Sequence, residues 1–126
     1  MRIYKEFLFE AAHFLPHAPD GHPNRRLHGH SFRAVVWLEG MPADTTGQIR
    51  PLDQLAAELQ AVRERLDHNF LNDIEGLAIP TLENIARWLW DQLKPNYPEL
   101  TRVEIHRPSC MEGCVYDGPV ENREAA

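Results

Sequence analysis

The run from His28 to Leu38 alternates with a period of two. His28, His30, Phe32, Ala34, Val36 and Leu38 fall on one side, and Ser31, Arg33, Val35, Trp37 and Glu39 on the other. Successive side chains of a strand point to opposite faces, whereas a helix would scatter these apolar residues around its circumference. The segment is therefore expected to be a strand with one face covered. Ile3 to His13 carries the same signal, with Phe7, Phe9, Ala11 and His13 together. The Pro-, Gly- and His-rich stretch Leu15 to Arg26 separates the two runs as a loop. An antiparallel pair of strands is expected.

The period then changes. Leu52, Leu55, Leu59, Val62 and Leu66 recur at three and four residues, one stripe of a helix, with Pro51 suited to its first turn. Thr81 to Leu93 repeats the pattern through Leu82, Ile85, Leu89 and Leu93, with Thr81 as N-cap. Thr101 to His106 reads as a third strand and Cys114 to Tyr116 as a short fourth. The order β-β-α-α-β-β implies an α+β fold, an antiparallel sheet with its helices on one face. The 126 residues suit one domain, taken as 1–120, with a polar, disordered tail at 121–126.

Composition narrows the partners. A net charge of −6 argues against a nucleic-acid-binding surface, because phosphate contacts need clustered Lys and Arg. No apolar run approaches the ~18 residues of a membrane span. The N-terminus lacks a signal-peptide core, and two cysteines do not make a disulfide framework. A cytoplasmic protein is expected.

His28-Gly29-His30 is the sharpest local signal. Residues two apart on a strand share a face, with Cα atoms ~6.6–6.8 Å apart. Their imidazoles can converge on one ion at Zn–N ~2.0–2.1 Å, and a catalytic zinc needs three protein ligands and an open position. His13, closing the neighbouring strand on an apolar face, is the best third ligand. Ordinary strand histidines are the competing reading.

The remaining chemistry-bearing residues are more ambiguous. His17 and His22 read as exposed loop residues, and His106 as an ordinary strand-end histidine. Asp67-His68 is either an acid–base pair or a helix-terminal histidine held by the helix dipole, and spacing alone leans to the second. Cys110 and Cys114 form one pair where a zinc ribbon needs two, so they read as buried thiols near a turn. Of Trp88 and Trp90, one is expected to pack inward and the other to cover a surface between subunits.

Four segments, FEAAHFLPH (9–17), RLHGHSF (26–32), LDHNFLND (66–73) and PTLENIARWLWDQLKP (80–95), together resemble the 6-pyruvoyl-tetrahydropterin synthase family. The resemblance is nearest to its bacterial 6-carboxytetrahydropterin synthase branch and runs from about Ile3 to Gly118. It implies a tunnelling fold (T-fold), a four-stranded antiparallel sheet with two helices on one face. Such subunits associate edge to edge into barrels, usually as homohexamers with sites between subunits. It implies zinc on His13, His28 and His30, acting as a Lewis acid toward the side chain of a small-molecule pterin. Asp67 and His68 map to the family's catalytic pair, and Thr81 to its pterin pocket. The implied reaction converts 7,8-dihydroneopterin triphosphate to 6-carboxytetrahydropterin, acetaldehyde and triphosphate, in queuosine biosynthesis. Arg25, Arg26 and Arg33 are cations available to the triphosphate.

Two positions depart from the family's pattern. Asn24 stands where the family carries a catalytic cysteine, and an amide cannot take a proton from carbon as a thiolate can. Pro108 stands where it carries a pterin-gripping glutamate, which leaves Glu112 as the nearest carboxylate in sequence. Two alternatives to the lyase follow: a diverged paralogue acting on another pterin-like substrate, and a non-enzymatic module binding zinc or pterin.

Overall fold

The computed structural model describes residues 1–120, so the expected tail at 121–126 lies outside the described residues. Two long strands, β1 (Arg2–His13) and β2 (His28–Glu39), pair antiparallel from Arg2 opposite Glu39 to His13 opposite His28. The strand β3 (Leu100–Arg107) joins β2 with Arg33 opposite His106, and β4 (Glu112–Tyr116) joins β3 with Arg107 opposite Glu112. The result is a four-stranded antiparallel meander in the order β1-β2-β3-β4. β3 and β4 are longer than the apolar alternation indicates, because ladder pairs continue into polar residues such as Arg107 and Glu112.

Two helices cover one face, α1 (Leu52–Leu66) against β1 and α2 (Leu82–Leu93) against β3 and β4. Thr81 caps α2, its Oγ1 accepting from the Asn84 N–H at 3.2 Å. Leu55, Leu59, Val62 and Leu66 of α1 meet Ile85, Leu89 and Leu93 of α2 in a core shared with Phe9, Phe32, Val36 and Ile105. Burying each such side chain contributes ~1.5–3 kcal/mol, which holds the helices on this face. Leu52 is the exception in the α1 stripe. It stays 42% exposed and borders a groove with Ile3, Pro42 and Ile49.

Both tryptophans of α2 are buried, which corrects the expectation of one outward-facing ring. Trp90 packs edge-on to Tyr116 at 5.4 Å. Trp88 is covered by the loop before α2: its indole N–H donates to the Glu75 carbonyl at 3.1 Å, and Gly76 turns past it at φ +86°. The α1–α2 connection thus closes over a face that helical periodicity alone would leave to solvent.

The same connection is stitched to the end of β1. The Glu10 N–H donates to Asp67 Oδ1 at 2.8 Å, the His68 N–H to the Glu10 carbonyl at 2.6 Å, and the Ala12 N–H to the Asn69 carbonyl at 3.2 Å. Asn72 bonds both backbone groups of Phe14. No helix among the described residues is long and apolar enough to cross a membrane.

Candidate functional site

His13, His28 and His30 meet on the helix-covered face at the end of the β1–β2 ladder. Strand parity puts His28 and His30 on that face, and the pairing of His13 with His28 delivers the third ring. One ring nitrogen of each lies within 4.8 Å of the others. The Phe9–Phe32 stack, with ring centroids 4.8 Å apart, lies beside them, and His13 and His30 each meet Phe32 edge-on.

The hydrogen bonding identifies the inward atoms. His13 Nδ1 lies 2.9 Å from the Pro80 carbonyl oxygen and His28 Nδ1 2.7 Å from that of Arg26. A carbonyl only accepts, so both Nδ1 atoms carry a proton, and in the neutral tautomer this selects, Nε2 is the atom with the lone pair. The Nε2 atoms of His13, His28 and His30 are buried without a hydrogen-bond partner. Three convergent ring nitrogens left without partners fit a cation, and the carbonyls behind His13 and His28 supply the orienting support that metal-bound histidines ordinarily have. Burial pushes the pKa of His13 down to about 4, against the Pro80 hydrogen bond, with the charges of His28, His30 and Arg107 adding to the fall. Burial also lowers that of His30, assisted by Arg107 and His28. Both shifts keep the rings neutral, the form that binds metal.

Asp67 and His68 do not join this cluster within one chain. The carboxylate of Asp67 holds the Glu10 N–H through Oδ1, and its Oδ2 lies 3.2 Å from Arg63 and 3.8 Å from His68 Nε2. The His68 side chain is 79% exposed, and its backbone adopts φ +57°. At that left-handed turn its N–H holds the Glu10 carbonyl of β1. Glu10, which anchors both residues, is three positions before His13, a rise of ~10 Å along a strand.

The other sequence candidates scatter. Arg25 pairs with Asp20 at 3.0 Å within its loop, and Arg26 is exposed. Arg33 points to the sheet face opposite the histidines. Asn24 sits in a short 3-10 turn (Pro23–Arg25), its carbonyl accepting from the Leu15 N–H at 2.7 Å. His17 and His22 are exposed, and His22 Nδ1 accepts from the Asn24 N–H. Pro108 begins a 3-10 turn (Pro108–Cys110) and is exposed. Cys110 is exposed and Cys114 half-buried, which corrects the expectation of two buried thiols: the turn through Met111, at φ +56°, leaves Cys110 outside. His106 pairs with Glu104 at 2.9 Å on the open face of the sheet.

Two contributors were missed in the sequence. The Pro80 carbonyl has no side-chain signature. Arg107 had one: it shares strand parity with Val103 and Ile105, and therefore the histidine face. Its guanidinium pairs with Glu112 at 2.9 Å, its side chain is only 14% exposed, and its charge acts on His13 and His30.

The sheet, its helices and the convergent histidines define a T-fold protein with a candidate metal centre. The chain belongs to the 6-pyruvoyl tetrahydropterin synthase family, whose sequence profile matches residues 2–119. It is 42% identical to a 6-carboxy-5,6,7,8-tetrahydropterin synthase of Synechocystis, over 93% of each chain. It is 34% identical to a dihydroneopterin monophosphate aldolase of Pyrococcus furiosus, over 89% of this chain and 90% of that one. A solved 6-pyruvoyl tetrahydropterin synthase from Caenorhabditis elegans superposes with a TM-score of 0.83 at 27% identity, over 94% of this chain and 96% of that one.

Proposed function

We propose that this chain is a zinc-dependent pterin lyase that converts 7,8-dihydroneopterin triphosphate and one water to 6-carboxytetrahydropterin, acetaldehyde and triphosphate, a step of queuosine biosynthesis. The observation that carries the reading is the set of three buried, unpartnered Nε2 atoms of His13, His28 and His30. The likeness to the Synechocystis synthase supports the choice of reaction.

His13, His28 and His30 would hold the zinc, which supplies Lewis acidity toward the hydroxyl oxygens of the substrate side chain. The Pro80 and Arg26 carbonyls hold two of the rings in the metal-binding tautomer. Phe9 and Phe32 keep water from that side of the site. His68 moves the proton at its Nε2, with Asp67 Oδ2 beside it to stabilise the charged ring. Because His68 faces solvent in the isolated chain, it serves a site completed by a second copy in a symmetric oligomer, taken as a homohexamer. Thr81 Oγ1 accepts its cap bond yet keeps its hydroxyl hydrogen for a pterin. Asn24 provides no base, so the acid–base work falls on His68.

A second reading is a paralogue acting on a different pterin. Asn24 and Pro108 favour it, as does the likeness to a relative named for aldolase chemistry on a monophosphate. One experiment separates the two: purified protein of measured zinc content is given dihydroneopterin triphosphate or monophosphate, and the products are resolved by mass spectrometry. Conversion of the triphosphate to the 6-carboxy product supports the first reading. Inertness toward it with turnover of the monophosphate supports the second. Pterin binding without turnover leaves only a binding module.

A further inference from the structure

We propose that Arg107 and the three-histidine centre form a joint oxyanion site, with Arg107 holding the charged end of a ligand that occupies the open position of the metal. The inference rests on the metal reading above and adds to it the chemistry of the ligand.

Arg107 continues the core-facing row Val103, Ile105, Arg107 of β3. Since His106 pairs with Arg33, the next step along the ladder brings Arg107 level with Phe32, one same-face position from His30. The following 3-10 turn (Pro108–Cys110) lies against β2, and its Ser109 borders a cleft with Gly29 and His30. A largely covered guanidinium thus sits at the rim of the three imidazoles.

Its bonding is incomplete. One terminal nitrogen engages Glu112 at 2.9 Å, whereas Nε is buried with no partner among the described residues. Arginine cannot shed its charge, and its planar fork binds carboxylate or phosphate through paired N–H donors. The Glu112 side chain is 48% exposed, so solvent weakens its compensation. A dication on the histidines would add like charge beside the same guanidinium. An oxyanion placed between them answers both cations and takes the unpartnered donor. Pro108, next in the chain, brings no carboxylate to compete for that place.

Cobalt(II)-substituted protein tests this through its visible spectrum, without turnover. Acetate and inorganic phosphate are titrated separately, so that the two sources of an oxyanion are distinguished by which one binds. At least one should shift the spectrum saturably. Arg107→Gln should weaken that binding about tenfold or more, the scale of one charge-assisted hydrogen bond. Glu112→Gln, which frees the guanidinium without removing it, should tighten it severalfold and decides the matter if the Arg107 variant does not fold. Wild-type protein that takes up no cobalt overturns the metal centre, and this inference with it. Cobalt uptake with no response to either anion, or with equal affinities in the wild type and the folded variants, overturns this inference alone.

Discussion

His13 on β1 donates its Nδ1 hydrogen to the carbonyl of Pro80, 67 residues further along the chain. That bond fixes the tautomer that turns Nε2 toward His28 and His30. It also joins the residue before the α2 N-cap to the end of β1, so the site and the fold share one contact.

The first consequence is metal content. Wild-type protein is expected to hold about one zinc per chain, as three ligands with an open position require. His28→Ala should lose most of it while staying folded, because His28 is only partly buried. Elemental analysis after dialysis checks this. A variant that keeps a full equivalent would show that another set of residues binds the metal.

A second expectation concerns acid. In metal-stripped protein His13 titrates near 4 when folded and near its ordinary 6.5 when unfolded. The unfolded state therefore binds more protons between those values, and stability rises with pH there. Stability should be full above about pH 6.5, fall as the pH drops, and level off for this group below about 4, a loss of roughly 3 kcal/mol at most. Urea midpoints of chelator-treated protein at about pH 7.5 and about pH 5 measure it, and equal midpoints would contradict the burial of a neutral ring.

Asp67 separates scaffold from chemistry. Asp67→Ala strands the Glu10 N–H and should cost about 1–3 kcal/mol. Asp67→Asn keeps an acceptor for that N–H and loses only the charge facing Arg63 and His68, so its stability should stay within about 1 kcal/mol. Turnover should nevertheless fall in both variants. Full activity in Asp67→Asn would remove the carboxylate from the proposed acid–base role.

On the open face of the sheet, a Cβ on Gly113 would stand 2.4 Å from the His106 ring. Gly113→Ala must push that ring off Glu104 and should destabilise by about 1–3 kcal/mol, visible in thermal melts. Removing the ring as well, in His106→Ala/Gly113→Ala, should recover part of the loss, since the clash disappears. A single variant as stable as wild type would show that the ring moves freely.

Association is the fifth expectation. Tyr4 and Leu8 are 53% and 62% exposed on the open face, next to a β1 edge whose far end is already occupied by the α1–α2 connection. A long strand with a free edge invites pairing with another copy. Light scattering should give a mass that is a small multiple of the chain, six being the expected number. A monomer at micromolar concentration would leave His68 without a site to serve.

Periodicity was enough to read the β-β-α-α-β-β order, the helix stripe Leu55–Leu59–Val62–Leu66 and the shared face of His28 and His30, because each follows from a repeat within one element. The β1–β2 pairing then made His13 the third member. What periodicity could not reach was whatever one element does to another. The sequence sends one of Trp88 and Trp90 outward, yet the loop at Gly76 closes over Trp88 and both rings are buried. Asp67 reads as a helix end, and its bond to Glu10 depends on where β1 lies. Arg107 becomes part of the site only because the β2–β3 register carries its charge to His13 and His30, and the Pro80 carbonyl only because the connection folds back. A sequence repeat specifies which face a side chain takes; register and loop closure decide what that face meets.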